Sequence, residues 1–460
     1  MLKILTVQQI QEAAEGLLIS GEGSVRIQGF STDSRTLQRG EAFIAINGEH
    51  FDGHAFIDQA VKKGACVLIV SEKIPTSGNI PVIRVKDTTR ALGRIAAFYR
   101  KLFDIPVIAV TGSAGKTTTK EMIAAVLSGR FKVLKNAKTE NNQYGVPLTI
   151  LKLNESHEAA VLELGTNQPG DIPWLTSIAQ PTIAVFTNIG ESHLEGLGTV
   201  RGVFREKFRL VEGMAPGGVV IYNKDDHYLR TMPSKKTGRK MVSYAIKQTA
   251  DHQADGIRRG SDHCMCFQMG RRKFVLNTPV EQYVYNALAA ISCARVLRIN
   301  DGQIQSILLN FEFGTSRQEV RKAGEVLIID DTYNANPVSF KSAIGTLDAL
   351  KTAGQKILVA GDMMELGKRA KELHLALGEM IARSTVDAAL MTGKYVRYAA
   401  RALRESNPRI EVFCYGSLPE LHRRLLTVCR QGDLVLVKGS RAMRMERTVE
   451  FIEGHWGDKH

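Results

Sequence analysis

The first residues with chemical content form the run Val110-Thr-Gly-Ser-Ala-Gly-Lys-Thr-Thr-Thr119. It follows an apolar, β-branched stretch, PVIAVTG (106–112), and opens a helical pattern from Lys116 to about Ser128. Glycine at positions 112 and 115 lets the backbone turn so that its N–H groups face an anion at a helix N-terminus. In such a loop Gly112, Ser113, Ala114, Gly115, Lys116, Thr117 and Thr118 surround the phosphates of a nucleotide. Lys116 places a charge on the β- and γ-phosphates, and Thr117 offers a hydroxyl to Mg²⁺. The spacing departs from the full G-x-x-x-x-G-K-[ST] pattern, because Val110 stands where its first glycine would be. A lysine in the first turn of a helix opposes the helix dipole, which an anionic ligand would explain. A phosphate loop names a nucleotide and leaves the reaction open.

Four further clusters follow. Asn141 and Asn142 lie in TENNQYGVP (139–147), Glu163 in AAVLELG (159–165), His193 in TNIGESH (187–193), and Lys207 fourteen residues beyond His193. Three of the four have a plain reading when taken alone. The asparagines make a turn. His193 is a satisfied or surface histidine. Lys207, with Arg205, Glu206 and Arg209 around it, sits on a solvated helix face. Their common feature is position: the first three fall at or just beyond the ends of strand-like runs, where open α/β sheets bind ligands.

The elements that would position them alternate. Apolar runs at 106–112, 159–165 and 182–190 read as buried parallel strands, with helical stretches at 87–102, at 116–128 and from about Gln282 to Leu297. The stretch from about 240 to 280, with MVSYAI and KFVLNT, reads as antiparallel strands added to the edge of that sheet. Alternation restarts after Gly314 with VLIIDD (326–331), KILVAGD (356–362), DAALMTG (387–393), EVFCYG (411–416) and DLVLVKG (433–439), a second doubly wound unit. The first 80 residues are smaller and mixed, with FIAI (43–46) and CVLIV (66–70) as strands, and VIRV (82–85) follows. The expected fold class is α/β in three domains, 1–103, 104–313 and 314–460, with linkers near Phe103–Pro106 and Phe313–Thr315. These are a small mixed α/β unit, a phosphate-loop doubly wound unit with a mostly parallel sheet, and a Rossmann-like doubly wound unit.

Composition narrows the class. Hydrophobic residues at 44% and charged residues at 23% describe an ordinary globular chain, which excludes disordered, collagenous and coiled-coil architectures. No apolar run reaches the length of a membrane helix, and the start MLKILTVQQIQEAAEG lacks a signal-peptide core, so a cytoplasmic location is expected. Six cysteines are too few for a disulfide scaffold. The net charge of +14 is spread along the chain, which argues against nucleic acid and for small anionic ligands.

Taken together, TGSAGKTTTKE, NNQYGVPLT, ELG, TNIGESHLEG and the lysine at that interval resemble the central domain of the Mur ligases. These are the ATP-dependent amide ligases of peptidoglycan precursor synthesis. Asp330-Asp-Thr-Tyr-Asn-Ala-Asn-Pro337, Gly361-Asp-Met-Met-Glu-Leu-Gly367 and Lys438-Gly-Ser-Arg-Ala-Met-Arg-Met-Glu446 look like the branch that adds D-alanyl-D-alanine to the UDP-muramoyl tripeptide. Ser31-Thr-Asp-Ser-Arg35, with residues 40–65, is similar to that branch's uridine-nucleotide-binding domain. The resemblance covers essentially the whole chain.

It implies ATP and Mg²⁺ as cofactors, an acyl-phosphate intermediate, and domains that close on the nucleotide. It implies that Thr117 and Glu163 hold one Mg²⁺ and His193 a second, that Lys207 is carbamylated beside that metal, and that Lys116 stabilises the transferring phosphoryl group. Asn286, Arg317 and Asp331 would serve the nucleotide. Lys438 would neutralise an anionic substrate group, Asn141, Asn142, Asn334 and Asn336 would contact substrate or dipeptide, and Asp33, Ser34 and Arg35 the uridine end. The partners would be the UDP-tripeptide and D-alanyl-D-alanine, with no membrane or nucleic acid, and the chain a monomer. One segment departs: Val280, Gln282 and Tyr283 replace the glycine and His-Asn of the family on the adenine side, where Gln282 can hydrogen-bond and Tyr283 can stack. Rival readings are a sibling ligase with another amine acceptor, a folylpolyglutamate synthase, a phosphate-loop ATPase or kinase, and an inactive nucleotide-binding scaffold.

Overall fold

The computed structural model describes residues 3–48, 51–74, 80–137, 140–232, 238–260, 264–314 and 316–457. Thr139 of the asparagine cluster and Thr315 of the second linker lie outside the described residues. The N-terminal lobe is built on a five-stranded sheet in the order Leu17–Ser20, Val82–Arg84, Val67–Val70, Glu41–Ile44, Gly29–Ser31. Its first pair is antiparallel and the rest are parallel. The helix Thr88–Arg100 starts at Asp87, whose carboxylate accepts from Arg90 N at 2.9 Å. This helix packs on the central lobe so closely that a Cβ on Gly93 would sit 2.4 Å from the Trp174 ring. Arg100 pins the crossing into the central lobe by donating to the carbonyls of Phe103, Ile105 and Ala179.

The central lobe carries a seven-stranded, wholly parallel sheet in the order His252–Gln253, Lys240–Ala245, Val219–Asn223, Ile183–Phe186, Val107–Thr111, Ala159–Glu163, Val133–Lys135. The phosphate-loop strand Val107–Thr111 lies where the strand order reverses, so a crevice opens beyond its C-terminal end. The expectation for 240–280 needs correcting in two respects. Lys240–Ala245 is reached by a long crossover and joins the sheet in parallel, buried over most of its length. Asp255–Arg259, Met265–Met269 and Arg272–Leu276 form a separate antiparallel sheet, because the tight turn at Gly270 (φ 58°) returns the chain at once. Its buried face, Met265, Phe267, Phe274 and Leu276, joins the core under the helix Gln282–Val296.

The C-terminal lobe has a six-stranded sheet in the order Glu319–Ala323, Val326–Asp331, Leu434–Lys438, Lys356–Gly361, Ala388–Thr392, Glu411–Tyr415. All pairs are parallel except the first, an added hairpin turning at Gly324. Among the described residues no helix is long and apolar enough to cross a membrane.

Candidate active site

A cavity of about 620 Å³ lies between the central and C-terminal lobes, lined by loops that leave the C-terminal ends of their parallel strands. On the central side the phosphate loop joins Val107–Thr111 to the helix Lys116–Ser128. Gly112 is required by close approach, since a Cβ there would fall 1.9 Å from Thr187 Oγ1. Gly115 adopts φ 78°, which an L side chain rarely does. A second loop fixes the first. Asn188 accepts from Ser113 N through its carbonyl and from Ala114 N through Oδ1, both at 2.9 Å, and Thr187 Oγ1 donates to Ala114 O at 2.7 Å.

Glu163 is buried at the base of the cavity. It accepts from Thr117 Oγ1 at 2.6 Å and from Asn141 Nδ2 at 2.7 Å. Asn136, which the sequence reading did not single out, holds this strand end. Its Oδ1 accepts from Glu163 N and its Nδ2 donates to the carbonyls of Glu140 and Glu163. Lys116 donates to Gly112 O at 3.0 Å. Burial lowers its pKa, and Arg317 lowers it further, against the opposing pull of Glu163 and Glu365. His193, in a left-handed conformation at φ 51°, places Nδ1 2.6 Å from Glu365 Oε2. Burial depresses its pKa more than Glu365 raises it, which favours the neutral ring.

Lys207 overturns its plain reading. Arg205 and Arg209 are exposed, but Glu206 and Lys207 turn inward from the same helix, Val200–Glu212. Glu206 accepts from Gly170 N and Ile172 N at the start of the helix Asp171–Ala179. The Lys207 side chain is fully buried, and its Nζ has no hydrogen-bond partner. Burial and the nearby Lys116 push its pKa well below the ordinary lysine value, which favours a neutral amine.

The remaining expected residues divide. Ser113, Ala114, Gly115, Thr118, Asn141, Asn142, Asn286, Arg317, Asp331, Asn334 and Asn336 line the cavity. Asn142 also forms the expected turn, accepting from Tyr144 N and Gly145 N. Asn336 is the N-cap of the helix Pro337–Ala349 and donates across the lobes to Ser113 O at 3.2 Å, so its side chain is already committed. The role expected of Lys438 is corrected. Fully buried, it donates to Asp331 Oδ2 at 2.6 Å and Asn334 O at 3.0 Å, so its charge is spent inside the protein. Tyr283 lines the cavity with one ring face covered. Its ring lies flat on Phe313, centroids 4.6 Å apart, and its hydroxyl donates to the Arg317 carbonyl. Gln282 lines the same cavity.

Asp33, Ser34 and Arg35 stand apart, in the N-terminal lobe and outside this cavity. Arg35 pairs with Asp33 and, with the loop N–H, holds the Asp33 carboxyl down to about 2, while Ser34 donates to Gln59.

Known proteins share this three-lobed architecture. Models of the Mur ligase family catalytic domain, the Mur ligase middle domain and the Mur ligase glutamate ligase domain match residues 26–100, 110–294 and 316–441. The chain is 34% identical over 451 residues to the UDP-N-acetylmuramoyl-tripeptide--D-alanyl-D-alanine ligase of Bacillus subtilis, covering 97% of this chain and 98% of that protein. It is 33% identical over 454 residues to the protein of the same name from Escherichia coli, covering 98% of each. A crystal structure of MurF from Acinetobacter baumannii superposes with a TM-score of 0.89 at 32% identity, covering 98% of this chain and 99% of that one. MurF ligase from Thermotoga maritima in complex with ADP gives 0.83 at 30% identity, covering 93% and 97%.

Proposed function

The chain belongs to the Mur ligase family, and from that premise we propose that it joins D-alanyl-D-alanine to UDP-N-acetylmuramoyl-tripeptide, converting ATP to ADP and phosphate. In this reading residues 1–103 take the uridine end of the precursor, 104–313 the ATP and 314–460 the acceptor, and the reaction runs in the cytoplasm where ATP is found. A carboxylate is a poor electrophile. The γ-phosphoryl group therefore moves to the tripeptide carboxylate, giving an acyl phosphate and ADP. The neutral amine of the dipeptide attacks the acyl carbon, the N–C bond forms, the amine loses its proton, and the tetrahedral intermediate expels phosphate.

The observation that carries this reading is an unpartnered, fully buried lysine amine within electrostatic reach of Lys116 and Glu163. Three lysines are buried among the described residues: Lys120, Lys207 and Lys438. Lys120 donates to Asn136 O and pairs with Glu121, and Lys438 pairs with Asp331. Lys207 alone of the three is left without a partner. A neutral amine adds to CO₂, losing a proton and gaining a carboxylate-like end, which turns a costly buried group into an anionic oxygen donor.

The donor set suits a hard cation, with the Thr117 hydroxyl and Glu163 carboxylate in mutual contact and a neutral His193 nitrogen nearby. Thr117 and Glu163 would hold one Mg²⁺, and His193 and the Lys207 carbamate a second; bound there, the ions would screen the repulsion between ATP and the substrate carboxylate. Lys116 would steady the transferring phosphoryl group, and the phosphate-loop N–H groups its neighbours. Contacts between the lobes, His193 with Glu365 and Asn336 with Ser113, help keep water from the acyl phosphate.

Phosphate release with ATP and UDP-tripeptide, measured with and without D-alanyl-D-alanine, tests the assignment. Release that depends on the dipeptide is expected, and equal release without it refutes the reading. Lys207→Ala should lower the rate by about 10²–10³-fold, with part recovered by short carboxylic acids.

A further inference from the structure

The chain crosses from the central to the C-terminal lobe just after Phe313, and soon beyond the crossing Arg317 lines the cavity. Arg317 is held by its flanks. Ser316 and Gln318 adopt φ 59° and 50°, uncommon for residues with a side chain. Ser316 N donates to Glu319 Oε2 and Ser316 Oγ to Asp330 Oδ2, both at 3.2 Å, and Ser316 O accepts from Tyr333 N at 3.1 Å. The buried Gln318 donates to Ser342 Oγ at 2.9 Å and accepts from Thr346 Oγ1 at 2.7 Å. Strained conformations persist where the surroundings fix them, and they cluster at functional sites. Between these anchors the Arg317 guanidinium lies 3.9 Å from the centroid of the Tyr333 ring. It is near enough to Lys116 to add to burial in lowering that lysine's pKa. Every anchor named so far belongs to the C-terminal lobe. They place Arg317 within its own lobe, not against the phosphate loop.

A side chain of the central lobe supplies the missing tie. Tyr283, in the first turn of the helix Gln282–Val296, donates its hydroxyl to the Arg317 carbonyl. Its ring is fixed by Phe313, with centroids 4.6 Å apart and planes within 4°, and Phe313 meets Phe311 edge-on at 5.0 Å. Burial, with Asp331 nearby, raises the phenol pKa, so the hydroxyl keeps the proton it donates. The same hydroxyl has a hydrogen-bonding contact with Thr118 of the phosphate loop. Asn286, three residues on and on the same helix face, lies under that loop, since a Cβ on Gly115 would fall 3.3 Å from its Oδ1. The helix that carries Tyr283 is therefore registered against the phosphate loop.

We propose that Tyr283 is a positioning residue for phosphoryl transfer: its hydroxyl holds the Arg317 carbonyl and so fixes the guanidinium of the C-terminal lobe in register with the phosphate loop of the central lobe. The assignment rests on the reaction given under the proposed function. In hinge closure, a contact at the crossing moves less than contacts across the cavity, such as His193 with Glu365 or Asn336 with Ser113. A bond at the crossing therefore sets the register, and an error there is carried to every group beyond it. An anion between Lys116 and Arg317 needs both cations at once, and a misplacement of about 1 Å can cost about 10²-fold in rate. The asparagine that the family resemblance places at this position ends well short of a tyrosine hydroxyl, so the tie is this chain's own.

Phosphate release from ATP with UDP-tripeptide and D-alanyl-D-alanine tests the role in four proteins: unaltered, Tyr283→Phe, Arg317→Ala and the double variant. Tyr283→Phe keeps the ring on Phe313 and removes only the donor. It should lower kcat about 10- to 30-fold and leave the three KM values within about threefold, as for a contact that matters in the transition state. Added to the already slow Arg317→Ala, the same change should cost less than about twofold, because no guanidinium is left to place. Its effect on the thermal midpoint should be equal in both backgrounds, so a merely structural loss would not produce the difference in kcat. A full loss of kcat in the Arg317→Ala background overturns the role, as does an unchanged kcat in Tyr283→Phe. A Tyr283→Phe defect confined to the KM for ATP overturns it too, and leaves Tyr283 as a wall of the nucleotide site. If the unaltered protein shows no dipeptide-dependent release, the proposed function fails, and the role with it.

Discussion

Two fully buried lysines, one in each catalytic lobe, have opposite environments. Lys438 ends the central strand of the C-terminal sheet with its ammonium on Asp331 at 2.6 Å and a backbone carbonyl at 3.0 Å. Lys207 lies on a helix of the central lobe with no partner for its amine. Burial lowers the pKa of both, but only Lys438 has a carboxylate in contact to offset it. A buried charge that is paired holds two elements together. A buried amine that is unpaired is a cost the fold carries, and the proposed chemistry supplies a reason for it.

Substituting each lysine by methionine sharpens the contrast. Lys438→Met leaves the Asp331 carboxylate buried and uncompensated and should destabilise the protein by about 3–5 kcal/mol, read as a lower urea midpoint. Adding Asp331→Asn should recover most of that loss, and failure to recover it would mean that the pair is not what Lys438 contributes. Lys207→Met should do the reverse. In CO₂-free buffer with a chelator it should gain about 1–4 kcal/mol, because an unpaired polar group is replaced by an apolar one of similar size.

The gain should depend on pH with a definite sign. The folded-state pKa of Lys207 lies below the unfolded one, so between the two values the unfolded chain binds the extra proton and stability of the unaltered protein rises with pH. The advantage of Lys207→Met should therefore shrink as pH is raised toward 10, and an advantage that grows would contradict a neutral buried amine. The smallest effect concerns the lobe contact. Asn336→Ala removes an N-cap and the bond to Ser113 O and should cost about 1 kcal/mol in thermal denaturation.

Much of the fold was legible because it is written locally. Unbroken apolar runs such as Val107–Thr111 and Leu434–Lys438 announce strands buried on both faces, and these are parallel, central strands. The phosphate loop was legible for the same reason, since its glycines and lysine act within a few residues of one another. The 240–280 region misled because a strand's own pattern does not state its direction; the length of the connection before it does. Lys207 was legible only from the joint pattern of motifs, because its neighbours in sequence, Arg205 and Arg209, point to solvent while it does not.

The sequence by itself determined the order of strands and helices, the anion-binding loop and the family whose motifs it carries. The tertiary structure decided which charges are spent. Lys438 meets Asp331 across 107 positions, and His193 meets Glu365 only where the two lobes come together. Local pattern fixes what a residue can offer. Whether the offer is already taken depends on partners distant in the chain, which only the packing of sheets and lobes brings within hydrogen-bonding reach.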